Sequence, residues 1–355
     1  MSVPPETIAR ARELLQHAAR PLIIHDNDPD GAVSFCLLHR LCPDARSVAF
    51  KNVPAVDERF LARLEEHAPD LLVILDTSRV TAEFLVAVRI PVLWVDHHEP
   101  QRELLARYTS VHCVNPRLWD DADNRPTSYW AYQIAQTNLW LAAVGCVADW
   151  HLPPDIITPF REQFLDLLPA DVTTIEQAYL ETKVGTLVRV IQFNLKGTTS
   201  DVRKAILTLA RVESPYEILL QSTTRGRFLW RRYQQLVAAY DALLAEALAV
   251  RPDGPIHLFL YAGGEQTYTA ELSNELLIRF PERIIIIARS HEGKRKCSLR
   301  SRGTPLPDMV AEALKGCDGH GGGHTNACGA VVREEDWEKF YTRLRELATA
   351  AVRHA

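Results

Sequence analysis

No apolar run in this 355-residue chain approaches the ~18–20 uninterrupted residues of a membrane span, and Met1-Ser2-Val3-Pro4-Pro5-Glu6 carries no secretory pattern. A membrane partner is therefore not expected. No Cys-x-x-Cys pair occurs. The seven cysteines (Cys36, Cys42, Cys113, Cys146, Cys297, Cys317 and Cys328) are odd in number and scattered, which suits a reduced cytoplasm with the thiols packed as small apolar groups. A basic excess is missing too. The formal charge of −5 argues against a protein that coats nucleic acid generally. Neither an internal repeat nor a low-complexity tract is present. What the chain does have is apolar material, 47% of its residues, and enough length for two or three domains of ~100–200 residues each.

The first half reads as alternating short strands and helices. Apolar strands are expected at 21–26, 46–51, 71–76 and 91–96, with a weaker fifth at 111–114. Helical patterns fall near 5–19, 31–41, 57–67 and 81–88, an alternation that builds βαβ units and a parallel sheet. Pro126-Thr127-Ser128 opens a further helix, since proline suits a first turn and the hydroxyls can satisfy free N–H groups. That helix is expected to run through Asn138 toward Ala148. From 173 to 250 the pattern is helical, clearest from Arg225 to Val250, and Arg251-Pro252-Asp253-Gly254-Pro255 breaks it. Strands follow at 257–261, 283–288 and 294–302, then a terminal helix over 334–353. The expected organisation is a Rossmann-like α/β domain over 1–172, a helical connector over 173–250, and a smaller C-terminal α/β domain over 251–355 across a cleft.

Four apolar stretches end in acid. Pro21-Leu22-Ile23-Ile24 leads into His25-Asp26-Asn27-Asp28-Pro29-Asp30-Gly31, Leu71 to Leu75 stops at Asp76, and Pro91 to Val95 stops at Asp96-His97-His98. Ala142 to Ala148 stops at Asp149, where a helix end is expected. Open parallel sheets bind ligands at the carboxyl ends of their strands, so charge placed there belongs to a site. Carboxylates and imidazoles, without suitably spaced thiolates, favour Mn²⁺ or Mg²⁺ over structural zinc. Two such ions ~3.5–4 Å apart can clamp a phosphate, with Asp76 or Asp30 as the bridging carboxylate. Empty, so dense an acidic cluster would repel itself. Singly, each residue also has a plainer use: Asp26 and Asn27 in a turn, Asp149 as a helix-end acid, His98 as a loop histidine, Ser34 as a helix residue and His25 as a strand end.

Taken together, these motifs resemble the DHH phosphoesterase superfamily. Its four N-terminal motifs match Asp26-x-Asp28-x-Asp30-Gly31-x-x-Ser34, Asp76, Asp96-His97-His98 and Gly145-x-x-x-Asp149. Gly321-Gly322-Gly323-His324-Thr325-Asn326-Ala327-Cys328-Gly329 is similar to the signature of the DHH-associated C-terminal domain. The resemblance implies a centre of two divalent cations, Mn²⁺ ahead of Mg²⁺. Its ligands would be Asp26, Asp28, Asp76, Asp149 and His97, with Asp30 or Asp96. The implied catalytic group is Asp28, Asp30, Asp76, Asp96, His97 and His98, where His98 acts as a nearby ligand, an orienter or a phosphate contact. In the C-terminal domain it implies substrate binding by Arg300, Gly322, Gly323 and His324.

The glycine run also suits an anion cradle on physical grounds, because successive amides can converge on a ligand. Lys294-Arg295-Lys296-Cys297-Ser298-Leu299-Arg300-Ser301-Arg302, with five basic residues and no acid, strengthens that expectation. His320 stands where a further glycine is expected. Of Trp94, Trp130, Trp140 and Trp150, Trp94 and Trp140 are expected in the core, and no residue is assigned to base stacking. The resemblance implies a metal-dependent phosphodiesterase of the nanoRNase branch that cuts short oligonucleotides or linear dinucleotides. Cyclic dinucleotides and 3′-phosphoadenosine 5′-phosphate are substrates of the same branch. The spacing Asp26-x-Asp28-x-Asp30 is closer to RecJ-type single-strand exonucleases, which usually add an oligonucleotide-binding barrel; after Val332 only one helix is expected. A catalytically silent replication scaffold is the third reading, set against six clustered aspartates that a scaffold does not need. A homodimer is compatible with all three.

Overall fold

Short apolar runs become the strands of two five-stranded sheets in the computed structural model, which describes residues 2–50, 55–264 and 267–354. The chain divides into two units, Met1–Gln234 and Gln235–Ala355. In the first, β1 (Pro21–Asp26), β2 (Arg46–Phe50), β3 (Leu71–Leu75), β4 (Val92–Val95) and β5 (Val111–Val114) form a wholly parallel sheet in the order β2-β1-β3-β4-β5. Lys51, at the end of the expected second strand, lies outside the described residues. The Rossmann-like α/β expectation is borne out. β3 and β4 are buried along their whole length, as strands covered on both faces must be, so they read as unbroken apolar runs rather than alternating ones. Leu22, Ile24, Leu72, Ile74 and Trp94 pack one face against Val56, Phe60 and Phe84. Each such side chain taken fully out of water contributes ~1.5–3 kcal/mol.

Strand order reverses between β1 and β3, and the crevice beyond the carboxyl ends at such a switch is where doubly wound sheets bind ligands. The helix Pro29–Leu38 leaves β1 there and is apolar all round, so it sits in the interior between the helices Thr127–Ala135 and Leu139–Ala148. Two glycines permit the fit. A Cβ at Gly31 would come within 2.7 Å of the Asp26 carbonyl, and one at Gly145 within 2.5 Å of Ser128 Oγ. The single helix expected from Thr127 through Asn138 is instead two. Gln136 and Asn138 both take left-handed conformations (φ 53° and 55°), which end one helix and start the next at a new angle.

The division between units falls inside the long helix Thr224–Ala249, so the helices from Ile175–Glu181 to Pro215–Leu219 belong to the first unit. The second unit carries β6 (Ile256–Ala262), β7 (Ile284–His291), β8 (Lys294–Arg300), β9 (Gly319–His324) and β10 (Ala327–Arg333), in the order β6-β7-β8-β10-β9. Only β6 and β7 run parallel. One face of this sheet buries Ile284, Ile286, Leu299 and Val332 against Val310, Phe340 and Leu344. Among the described residues no helix is long and apolar enough to cross a membrane.

Candidate metal centre

The carboxyl ends of β1, β3 and β4 deliver the acids side by side. Asp26 ends β1, and Asp28 caps the next helix by accepting the Gly31 N–H at 2.8 Å. Asp76 follows β3 in a left-handed conformation (φ 54°), its N–H bonded to the Val95 carbonyl. Asp96 and His97 follow β4. Asp149 caps the carboxyl end of Leu139–Ala148, the helix that Gly145 lets approach.

Three groups of donors converge, each with its ligand atoms within 4.8 Å of one another: Asp26, Asp28 and Asp76; Asp76, His97 and His98; and Asp30, His97 and Asp149. Asp76 and His97 each belong to two groups, so the groups form one continuous cluster. His97 donates from Nδ1 to the Asn124 carbonyl (3.0 Å), which leaves the Nε2 lone pair outward, 3.7 Å from both Asp76 Oδ1 and Asp149 Oδ2. Hard oxygen donors with an imidazole nitrogen fit Mn²⁺ or Mg²⁺, and no cysteine joins them.

The charge state of this cluster follows from its crowding. Asp76, 4% exposed, is pushed well above the usual carboxylate range by burial and then by repulsion from Asp28, Asp30, Asp149 and Asp26. Asp149 is raised in the same way, by burial and by Asp30 and Asp28. Burial and Asp28 bring Asp26 up to about 7. Each of these carboxyls thus favours its neutral form in the metal-free cluster, and a divalent cation would offset the repulsion that raises them.

Two of the expected ligands have other commitments. Asp30, 2% exposed, accepts the Thr127 N–H at 2.8 Å on one oxygen and the Ser128 N–H at 2.9 Å on the other. It therefore clamps the amino end of the helix Thr127–Ala135 as well as lying near His97 and Asp149. Asp96 belongs to none of the three groups. Its Oδ1 accepts the His98 Nδ1–H at 2.8 Å, and its Oδ2 faces the His98 N–H and the Asn115 amide. Burial works against a charged His98, yet the bond to Asp96 and the field of the aspartates hold its pKa above the ordinary value.

Sequence reading missed four residues that the fold brings here. Thr127 donates from Oγ1 to Asp76 (3.2 Å) and Asn115 donates to the His98 carbonyl (2.9 Å). Asn124 supports His97 through its carbonyl and His151 through its side chain, and His151 Nδ1 donates to the Asp149 carbonyl (2.6 Å). Asn115 alone had a signal: like the acids, it is the polar residue at which an apolar strand stops. His25, a strand-end residue as expected, is buried with Nε2 3.0 Å from Ser47 Oγ. Ser34 lies inside its helix. Trp94, Trp130 and Trp140 are core residues, and Trp150 stacks on Tyr179 at 5.2 Å.

In the second unit, Arg300 ends β8 with its Nε donating to Asn274 Oδ1 (2.8 Å) and Nη1 to the Leu299 carbonyl (2.9 Å). The glycine run, expected as a cradle loop, is instead the edge strand β9, paired antiparallel with β10 through a two-residue turn at Thr325-Asn326. Pairing to β10 spreads its amides along an edge, so they do not converge. Gly322 has open space where a side chain would be. Gly323 could not carry one, because its Cβ would meet the Ala327 carbonyl at 2.3 Å. The His324 side chain lies outside the described residues.

Residues 255–350 match the DHHA1 domain family. No curated protein matches the sequence. Among solved structures, the chain resembles RecJ from Thermus thermophilus in complex with Mn²⁺, with a TM-score of 0.70 and 18% identity. That match covers 99% of this chain and 56% of the RecJ chain, so the present chain spans little more than half its length. A second exonuclease RecJ, bound to manganese, matches at TM-score 0.65 and 17% identity over 98% of this chain and 96% of that one. A pGpG-specific phosphodiesterase, PggH from Vibrio cholerae, matches at TM-score 0.52 and 13% identity over 94% and 99%. These identities establish a shared fold. The DHHA1 match is confined to the C-terminal residues, and the likeness of the rest of the chain to these structures is one of fold.

Proposed function

We propose that the chain is a metal-dependent phosphodiesterase that hydrolyses short oligonucleotides or linear dinucleotides to mononucleotides, in a reducing cytoplasm. The observation that carries this reading is the sharing of Asp76 and His97 among three convergent donor groups. The names of the structural relatives, an exonuclease and a pGpG-specific phosphodiesterase, support the phosphodiester as the bond attacked.

Two divalent cations, Mn²⁺ or else Mg²⁺, would supply Lewis acidity and activation of water at neutral pH. Asp26, Asp28, Asp76, Asp149 and His97 would hold them, with Asp76 between the two positions. Asp30 keeps the helix Thr127–Ala135 in place, so that Thr127 can orient Asp76. Asp96 fixes the ring of His98 through Nδ1, which leaves Nε2 as the atom that can meet a phosphate oxygen. The raised pKa of His98 favours the cationic ring for that contact. Arg300, Gly322, Gly323 and His324 are assigned to the substrate's anionic end, with Arg300 pre-set by Asn274. A RecJ-like exonuclease acting on longer single strands is the second reading, favoured by the Mn²⁺-bound RecJ neighbour. Six retained aspartates speak against the silent scaffold.

The test is a time course with Mn²⁺ on end-labelled RNA and DNA of two, five and twenty nucleotides. Fastest turnover on the two shorter lengths is the expected result. Faster, processive degradation of the twenty-nucleotide strand replaces this reading with the RecJ-like one, and no cleavage by the wild-type chain refutes both.

A further inference from the structure

Residues 199–234 hold seven basic and three acidic side chains, a local charge of +4 in a chain whose formal charge is −5. The three acids are already paired: Asp201 with Arg232 (3.8 Å), Glu213 with Arg40 (2.6 Å) and Glu217 with Arg225 (3.6 Å). Lys204, Arg211, Arg227 and Arg231 form no ion pair among the described residues, and all four are exposed. No acid occurs from position 218 to 240.

Lys204 lies on the helix Thr199–Leu209, Arg211 just beyond its end, and Arg227 and Arg231 on the part of Thr224–Ala249 that belongs to the first unit. Ala205, Ile206 and Leu209 of the helix Thr199–Leu209 line a small apolar cavity together with Leu229 of Thr224–Ala249. Lys204 Nζ stands 5.0 Å from the Phe228 ring centre, and Arg225 donates to the Arg211 carbonyl. Arg227 and Arg231 are one helical turn apart on one face, roughly 6 Å along the axis. Between them comes Trp230, half-buried and beside the Tyr233 ring at 5.4 Å. Guanidinium groups at a regular interval, interleaved with a partly exposed aromatic ring, are the chemistry that grips single-stranded nucleic acid: the cations neutralise phosphates and the ring stacks a base.

We infer that Lys204, Arg227, Trp230 and Arg231 form a strand-binding ridge that holds single-stranded nucleic acid outside the metal centre. The inference rests on the reading that the substrate is nucleic acid, and it adds a second contact surface for strands longer than the centre itself needs. An acidic protein segment is the competing occupant.

The test is fluorescence anisotropy of a labelled twenty-nucleotide oligo-uridylate with the full chain in EDTA, where nothing is cut, repeated over a salt series. Arg227→Ala combined with Arg231→Ala should weaken binding at least tenfold near 0.1 M salt. It should also reduce the slope of log K against log salt by ~1.4, about 0.7 for each lost phosphate contact. Hydrolysis of a dinucleotide with Mn²⁺ should be unchanged in the same variant, which also shows that it folds. Unaltered affinity and slope in the double variant overturn the ridge and leave the acidic protein segment as occupant, as does a wild-type chain that fails to bind the twenty-mer. If the wild-type chain cuts no phosphodiester while the variant still loses twenty-mer binding, the ridge stands and the phosphodiesterase reading falls.

Discussion

Replacing Asp76 by asparagine should make the metal-free protein more stable and at the same time abolish metal binding. Asp76 shares a group with Asp26 and Asp28, their ligand atoms within 4.8 Å. Two full charges at 4.8 Å repel by about 3.5 kcal/mol at an effective dielectric constant near 20. Protons already relieve part of that repulsion, as the raised carboxyl of Asp76 indicates, so a net gain of about 1–3 kcal/mol is the expected scale. Asparagine also suits the backbone, because after glycine it is one of the residues that most readily adopts the left-handed conformation seen at φ 54°. It can still accept the Thr127 hydroxyl through its carbonyl oxygen. In EDTA near pH 8 the melting temperature should rise by ~2–12 °C, taking ~2–4 °C per kcal/mol for a unit of this size. With Mn²⁺ the order should reverse: the wild-type protein gains stability and the variant does not. A variant that melts below the wild-type protein in EDTA, or that keeps the full Mn²⁺ shift, refutes the argument that Asp76 is a repelled carboxylate awaiting cations.

Asp30→Ala should separate the clamp from the ligands. Losing both amide bonds at the start of Thr127–Ala135 should cost about 2–4 kcal/mol in thermal or urea unfolding, while Mn²⁺ stoichiometry by calorimetry stays that of the wild-type protein. Stability should also depend on pH with a definite sign. Asp26 binds its proton up to about 7 in the folded state against 3.8 in the unfolded chain. The folded state therefore holds more protons over that window, and the metal-free protein should lose stability as pH rises from about 4 to about 7. The Mn²⁺-induced melting shift should grow over the same window; a shift that is flat from pH 5 to 7.5 contradicts this. Arg300→Ala should weaken substrate capture by ~10–150-fold, the scale of one charge-assisted phosphate contact, with metal content unchanged. Normal KM in that variant would remove Arg300 from the substrate site.

Much of this protein was legible in its amino-acid order because buried parallel strands leave a strong local mark. Residues 21–24, Leu71–Leu75 and Val92–Val95 are unbroken apolar runs, and the acids that follow them stand out against that background. Asp26, Asp28, Asp76, His97 and Asp149 could therefore be picked out as candidates without coordinates, and so could the parallel α/β architecture. What a linear pattern cannot carry is the division of labour among neighbouring acids. Asp28 and Asp30 differ by two positions on one turn and both belong to convergent donor groups, yet only Asp30 also accepts amides 97 and 98 residues away, one on each oxygen. Asp96 likewise reads as a ligand in sequence, but the path of the chain turns it toward His98 and Asn115. In sequence the glycine run suits a converging loop, since glycine permits almost any backbone path, but pairing with β10 selects an extended one. Local composition sets which groups can bind an ion; long-range packing decides which lone pairs are still free to do so.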